Sequence, residues 1–348
     1  MISLIPLISM VISHNQLICL KPNLAFPLDA SAVVKVWPAL TPKASFTQAI
    51  ISWNVGHAGN SHITVEAKAH GDRFDTKWFV MAEWSLNVDQ QDRTSLSGQG
   101  EENGDVNTDT LSLTKPAKSL DIRVTLTNPT SANGEAPLLK LLTVSFSQGE
   151  AVTDAPIKSA AWGKSVDVPQ RAQGNYPNGS VLCSATSTSM LLSHWSNVLA
   201  RPELDRDVPE VEAGVWDKAY KGAGNWPFNA AYFGSMDGLR GYVARFNAIS
   251  DLEKWILSGI PVATSVSFDM LRGKPLSPTE QGHLVVLVGF TPDGDPIIND
   301  PAFKDGVRKT YKRTDFARAW AYSHHTVYVF TAENSVVPPN TGGLWVGK

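Results

Sequence analysis

Between residues 35 and 150 the hydrophobic positions fall in short runs, and the best of them repeat every second residue. Phe46–Trp53, His62–Ala69, Trp78–Trp84, Leu120–Thr127 and Leu138–Phe146 are rich in β-branched and aromatic residues, with Gly/Asn/Asp-rich breaks between them, such as Gly98–Asn107 and Asn128–Gly134. In Leu120–Thr127, Ile122, Val124 and Leu126 share one face while Asp121, Arg123 and Thr125 share the other. That alternation predicts a half-buried strand in a sheet with one wet face. Several such strands at this spacing predict an all-β sandwich. No segment of helical period interrupts this half.

The pattern changes after a connector at 151–167 that contains Pro156. Behind Cys183, the residues Ala185, Leu192, Trp195 and Leu199 recur at helical spacing. Ser250–Ser258 reads as a second helix, with Ser250 and Asp251 as cap candidates, running into a β-branched strand at Ile260–Ser267. His283–Phe290 and Pro296–Asp300 flank an Asp293-Gly294 turn and predict a β-hairpin. Val307–Arg313, a short helix near Asp315–Trp320 and a strand at Thr326–Phe330 complete an α+β domain. Two domains are therefore expected: a β-sandwich at 35–150 and an α+β domain at 168–335. A leader or disordered start precedes them at 1–34, and an unstructured tail follows at 336–348. A chain of 348 residues is long enough for two cores.

Composition narrows the function classes. Hydrophobic residues make up 43% and charged residues 18%, as in ordinary globular proteins, and the net charge is −3. No lysine/arginine cluster supplies the basic footprint of a nucleic-acid partner. The apolar segment Met1–Leu20 is broken by His14, Asn15 and Gln16, so it is too short for a membrane span. It lacks a basic n-region, yet small residues at Ala25 and Asp29–Ala32 would suit cleavage, so an export leader and a disordered start both stay open. The expected location is extracytoplasmic or secreted, with cytoplasmic as the alternative. Two cysteines, Cys19 and Cys183, form no disulfide framework and no CxxC pair.

A free cysteine is usually a small buried hydrophobe. Cys183, however, follows the Tyr176–Gly179 turn and opens a helix, where the macrodipole and unpaired N–H groups favour a thiolate. The following Ser184, Thr186, Ser187, Thr188 and Ser189 offer cap oxygens. A thiolate nucleophile needs a histidine, and eight are present. His194 lies eleven residues further along the same helix, about 16 Å along its axis and out of reach. His57, His62 and His70 belong to the sandwich half, and His324 and His325 precede the last strand. His283 stands at the mouth of the strongest apolar strand, where a side chain reaches a cleft edge. Asp300 closes the second hairpin arm and would orient the imidazole, or else start a turn before Pro301. A two-residue turn at Asp293-Gly294 would oppose His283 to residue 304, so bringing it to Asp300 requires a longer loop or a bulge.

These residues resemble the bacterial C39-like branch of papain-fold cysteine peptidases. The likeness lies in Val168–Gln173, Tyr176–Gly179, Cys183–Ser187, Gly224–Asn229, Gly282-His283 and Asn299–Pro301, and it covers about 160–332. The sandwich is similar to the N-terminal region of such proteins. The resemblance implies an α+β papain-like peptidase domain with Cys183 as nucleophile, His283 as general base and acid, and Asp300 as orienter. It further implies Gln173 as oxyanion-hole donor beside the Cys183 N–H, with Gln170 as runner-up. Ala185 departs from the proline often found there, which leaves a good helix former in place.

The expected activity is hydrolysis of a peptide or amide bond through a thioester, with no metal and no organic cofactor. The same triad would also serve an acyltransferase or amidase. A non-catalytic glycan- or protein-binding protein is the reading from another class. A peptide or protein is the expected substrate, and the sandwich is a candidate site for a glycan or protein ligand. Trp226 and Phe228 either line the substrate cleft or pack as an aromatic turn.

Overall fold

The computed structural model describes residues 15–86, 93–127, 135–148, 158–280, 282–340 and 345. Its N-terminal half consists of two antiparallel sheets. One has strands β1 (Gln16–Leu20), β2 (Leu24–Ala25), β4 (Phe46–Gly56), β7 (Gly104–Asn107), β8 (Thr110–Ala117) and β10 (Leu138–Ser147), in the order β1-β10-β4-β8-β7 with β2 also on β10. The other has β3 (Ala32–Leu40), β5 (His62–His70), β6 (Phe79–Ser85) and β9 (Ser119–Thr127), in the order β3-β9-β5-β6. The alternation read in β9 is realised: Ile122, Val124 and Leu126 are buried, and Ile63, Val65 and Ala67 of β5 join them. The β4 residue Trp53 meets Trp84 of β6 edge-on, linking the two sheets.

The second half carries α1 (Cys183–Leu199), α2 (Val208–Val215), α3 (Trp226–Ser235), α4 (Ile249–Leu257), α5 (Phe268–Leu271) and α6 (Arg313–Ala321). These surround an antiparallel sheet of β11 (Leu239–Arg245), β12 (Val262–Val266), β13 (His283–Phe290), β14 (Pro296–Asn299), β15 (Arg308–Thr310) and β16 (Thr326–Ala332), ordered β11-β16-β12-β13-β14-β15. All of β13 and β16 is buried, which explains their unbroken apolar sequences. The α4 helix is N-capped at Ala248 without a side-chain bond, ahead of both the Ser250 and Asp251 candidates; Asp251 instead accepts the Asn247 N–H.

The leader or disordered start expected at 1–34 is corrected from residue 15 onward. Leu17 is fully buried and β1 pairs along its length with β10, because its apolar side chains complete the edge of that sheet. Residues 1–14 lie outside the described residues, as do 149–150 and 151–157 of the connector. The rest of the connector is laced to β13 and α4: Val166 N–H donates to Val288 O of β13, and Trp162 Nε1 donates to Glu253 of α4. In the tail, Trp345 bridges to Leu17 and packs against Tyr242.

The two halves share one apolar core. Trp53 meets Phe228 of α3 as well as Trp84. Beside it, the Asn54 side chain donates to Ala230 O and Gly241 O and accepts from Gly241 N–H. Gly234 of α3 sits so close to Asn54 that a Cβ there would overlap it at about 2.1 Å. Ser52 and Ser145 accept the N–H groups of Val243 and Arg245. Strand β11 is thus satisfied on one side by β16 and on the other by N-terminal side chains. Among the described residues, no helix is long and apolar enough to cross a membrane.

Candidate active site

Cys183 is the first residue of α1, behind a 3-10 turn at Gly179–Val181. That turn forms because Asn178 takes a left-handed φ of 58° and Gly179 has no Cβ. A Cβ on Gly179 would lie about 2.3 Å from Gln173 O, so glycine lets the turn close onto the Gln173 backbone. The helix starts without a side-chain cap, contrary to the expectation for its serines and threonines. Those hydroxyls are buried, and all but that of Thr186 fasten α1 to its neighbours instead. Ser184 bonds Tyr328 of β16, Ser187 donates to Leu284 O of β13, and Thr188 donates to Asn229 of α3. The Ser187 bond holds the start of α1 against the start of β13, where His283 stands.

His283 and Asp300 are brought together across the hairpin. Strand β13 pairs with β14 at Phe290↔Pro296 and Gly289↔Ile297, then slips to Leu287↔Ile298 and Val286↔Asn299. Gly289 leaves room for the close approach of Lys164 O, about 2.4 Å from where its Cβ would stand. The five-residue Thr291–Asp295 turn and the bulge shift the register by two residues, and the side chains of His283 and Asp300 cover the remaining offset diagonally. His283 Nε2 lies 2.8 Å from Asp300 Oδ1, and both side chains are buried. The other ring nitrogen is left for Cys183, which lines the same cavity as His283.

The electrostatics follow from these contacts. Burial raises the Cys183 thiol, but its interaction with His283 and the histidine's charge, together with the Leu284 and Ser184 N–H groups, outweigh this and hold it below an ordinary thiol. Burial works against the imidazolium, yet Asp300 and Cys183 raise His283 well above an ordinary imidazole. Asp300 is raised by burial but lowered more by His283, by the Tyr311 hydroxyl at 2.6 Å and by the Ala302 N–H at 3.0 Å. The arrangement therefore favours a thiolate–imidazolium pair backed by a carboxylate. Phe268 tilts over the His283 ring at 4.7 Å and restrains it.

Gln173 is buried at the wall of a cavity of about 290 Å³ shared with Cys183, His283, Phe268 and Ala302, and its Oε1 has no hydrogen-bond partner among the described residues. Gln170 is elsewhere: it is exposed, and its Oε1 accepts the Arg308 N–H. A second cavity of about 820 Å³ opens on the other side of Cys183 and His283 and is lined by Trp226. Phe228, expected beside Trp226 in the cleft, is corrected to the core, fully buried against Trp53. Asn225 caps α3 through the Phe228 N–H, and two residues along a helix turn through about 200°, so Trp226 and Phe228 face opposite ways. His194 is a buried structural histidine bonded to Asp167 O.

Two neighbours carry no signal in the sequence. Tyr311 sits on the loop after β15, and only folding brings it to Asp300. Glu280 gathers Ser267 Oγ and the N–H groups of Phe268, Asp269 and Gly282, shaping the entry to β13. Among the described residues, no group of three or more His, Cys, Asp or Glu is placed to hold a metal ion.

Residues 31–147 match the family model for the Peptidase C39 N-terminal domain, and residues 165–328 match that of the Peptidase_C39 like family. Among solved structures, a candidate C39-like peptidase from Bacillus anthracis aligns at 16% identity with a TM-score of 0.36, covering 49% of this chain and 98% of its own. Dimeric latent PorU from Porphyromonas gingivalis aligns at 10% identity with a TM-score of 0.18, covering 95% of this chain and 22% of its own. No curated protein matches the chain.

Proposed function

Because the chain belongs to the C39-like peptidase family, we propose that it is a cysteine peptidase, hydrolysing a peptide or amide bond through a thioester acyl-enzyme. In this reading the Cys183 thiolate attacks the carbonyl carbon, and Gln173 with the Cys183 N–H steadies the oxyanion. The His283 imidazolium gives its proton to the leaving amine and then takes one from the water that opens the thioester. Asp300 fixes the ring through Nε2 and stabilises its charge. A helix-borne cysteine facing a histidine at the end of an antiparallel strand is also what supports the papain-like reading of this α+β half. The observation that carries the proposal is the His283–Asp300 hydrogen bond beside Cys183, with Cys183 and His283 on the wall of one cavity.

Alkylation with iodoacetamide across pH, followed by mapping of the modified residue, tests it. Cys183 should react at mildly acidic pH, since its thiolate persists there. Cys19 should stay unmodified, because burial raises its thiol. Cys183→Ala should abolish hydrolysis. A Cys183 rate that rises only near the ordinary thiol value of about 8.5 would sink the proposal.

A further inference from the structure

The larger cavity runs from Cys183 and His283 to the N-terminal half, whose β4 residue Gln48 and β7–β8 turn residue Asp109 line its far side. Arg245, the last residue of β11, lines it too and is only 3% exposed. Its Nη1 donates to Gln48 Oε1 and its Nε donates to Thr326 Oγ1 at 3.3 Å. Among the described residues it forms no ion pair, and its Nη2 has no acceptor. Burial pushes the guanidinium down to about 10, opposed only by the charge of Asp109 at a distance. Asp109 is already engaged: its two oxygens accept the Trp226 N–H and the Thr110 hydroxyl, each at 3.0 Å. Burial pushes that carboxyl up to about 6, close to neutrality. A desolvated cation is ordinarily paired, and here the space beside it is an open cleft rather than a carboxylate.

Strand registers fix how far this cation stands from the chemistry. Leu284, next to His283, pairs with Ser265; Thr264 pairs with Val327; and Thr326 pairs with Arg245. Arg245 is therefore three strands from the start of β13, about 14 Å at the usual strand spacing. An extended peptide advances about 3.3 Å per residue, and the arginine side chain spans part of the gap. A group meeting the guanidinium would sit roughly two to four residues from the scissile bond. Of the other charges on this wall, Lys221 has the same sign, and the Glu280 carboxylate is committed to its four donors.

We propose that Arg245, steadied by Gln48 of the N-terminal half, receives a carboxylate of the peptide substrate, which makes the N-terminal half a wall of the substrate cleft. The proposal rests on the peptidase reading and supplies its substrate class: peptides acidic on one side of the cleavage point. The carboxylate is that of an acidic side chain or of the peptide's own C-terminus.

Fluorescence anisotropy on full-length Cys183→Ala protein tests this without requiring turnover. The probes are fluorescein-labelled peptides with glutamate or glutamine scanned through each position, each made with a free and an amidated C-terminus. At one position glutamate should bind about tenfold more tightly than glutamine, as a charged hydrogen bond at a buried site provides. If the free C-terminus is the ligand, amidation produces the tenfold loss instead. Adding Arg245→Gln should bring the ratio to one, while Arg245→Lys keeps part of it because the charge remains but the fork is lost. Equal binding of every glutamate and glutamine pair with no effect of amidation, absence of binding, or a preference that survives Arg245→Gln would each overturn the proposal. Charge-selective binding by a protein whose wild-type form cleaves none of these peptides would instead count against the peptidase reading.

Discussion

The His283 ring has its Nε2 on Asp300, so its orientation depends on one carboxylate that also accepts from Tyr311 and Ala302. Asp300→Asn keeps the shape but offers one oxygen to two donors, His283 and Tyr311, and removes the charge that stabilises the imidazolium. Turnover should fall by about 10²-fold, less than the ~10⁴ of a serine triad, because the thiolate already exists. Asp300→Ala should lose more. Tyr311→Phe, which removes a positioning bond only, should lower kcat about three- to tenfold with KM little changed. Steady-state kinetics on a cleaved peptide distinguishes the three. Asn299 is a poor control for this series, although its side chain turns away from His283. It is fully buried, donating to Val168 O and accepting from Arg308, so Asn299→Ala should cost about 1–3 kcal/mol of stability. Below the lowered thiol value the Cys183 thiolate takes up a proton; above the raised imidazole value the His283 imidazolium loses one. Activity should therefore span a wider pH range on both limbs than free cysteine and histidine would allow.

Helix α3 and the β13–β14 hairpin show how an element assigns different work to adjacent residues. On α3 the Asn225 cap and Pro227 in the first turn fix where the helix begins, and that start sends Trp226 to the cleft and Phe228 to the core. Phe228→Ala should cost about 3–5 kcal/mol in urea unfolding. Trp226→Ala should leave the midpoint nearly unchanged and raise KM. If Trp226→Ala proved the more destabilising of the two, the assignment would be reversed. The sequence could name both aromatics but not the phase of the helix that sorts them. In the hairpin the two strands and the need for a bulge were legible from apolar runs and turn residues. The position of that bulge was not, because it is set by the connector backbone pressing on Gly289.

At the scale of the whole molecule the N-terminal half is built into the C-terminal half. Their shared surface contains Asn54, bonded across to Ala230 and Gly241, and it leaves Arg245 dependent on Gln48. A protease site engineered at residues 149–157 should therefore yield two fragments that co-elute in gel filtration and separate only in denaturant. Fragments that part under native conditions would show two autonomous units. By itself the sequence determined the strands of β4, β5, β6, β9 and β10 and the helix behind Cys183. Local periodicity and turn chemistry carry that information, since they depend on neighbours within a few positions. Strands β1 and β3 carry no such local signal, because their apolar faces are completed by the sequence-distant strands β10 and β9. The hydroxyls after Cys183 took long-range partners in place of cap positions, Tyr311 reached Asp300, and Arg245 came to the cleft only through the order β11-β16-β12-β13. Those pairings are between groups that share no local signal, and packing against one core is what brings them within bonding distance.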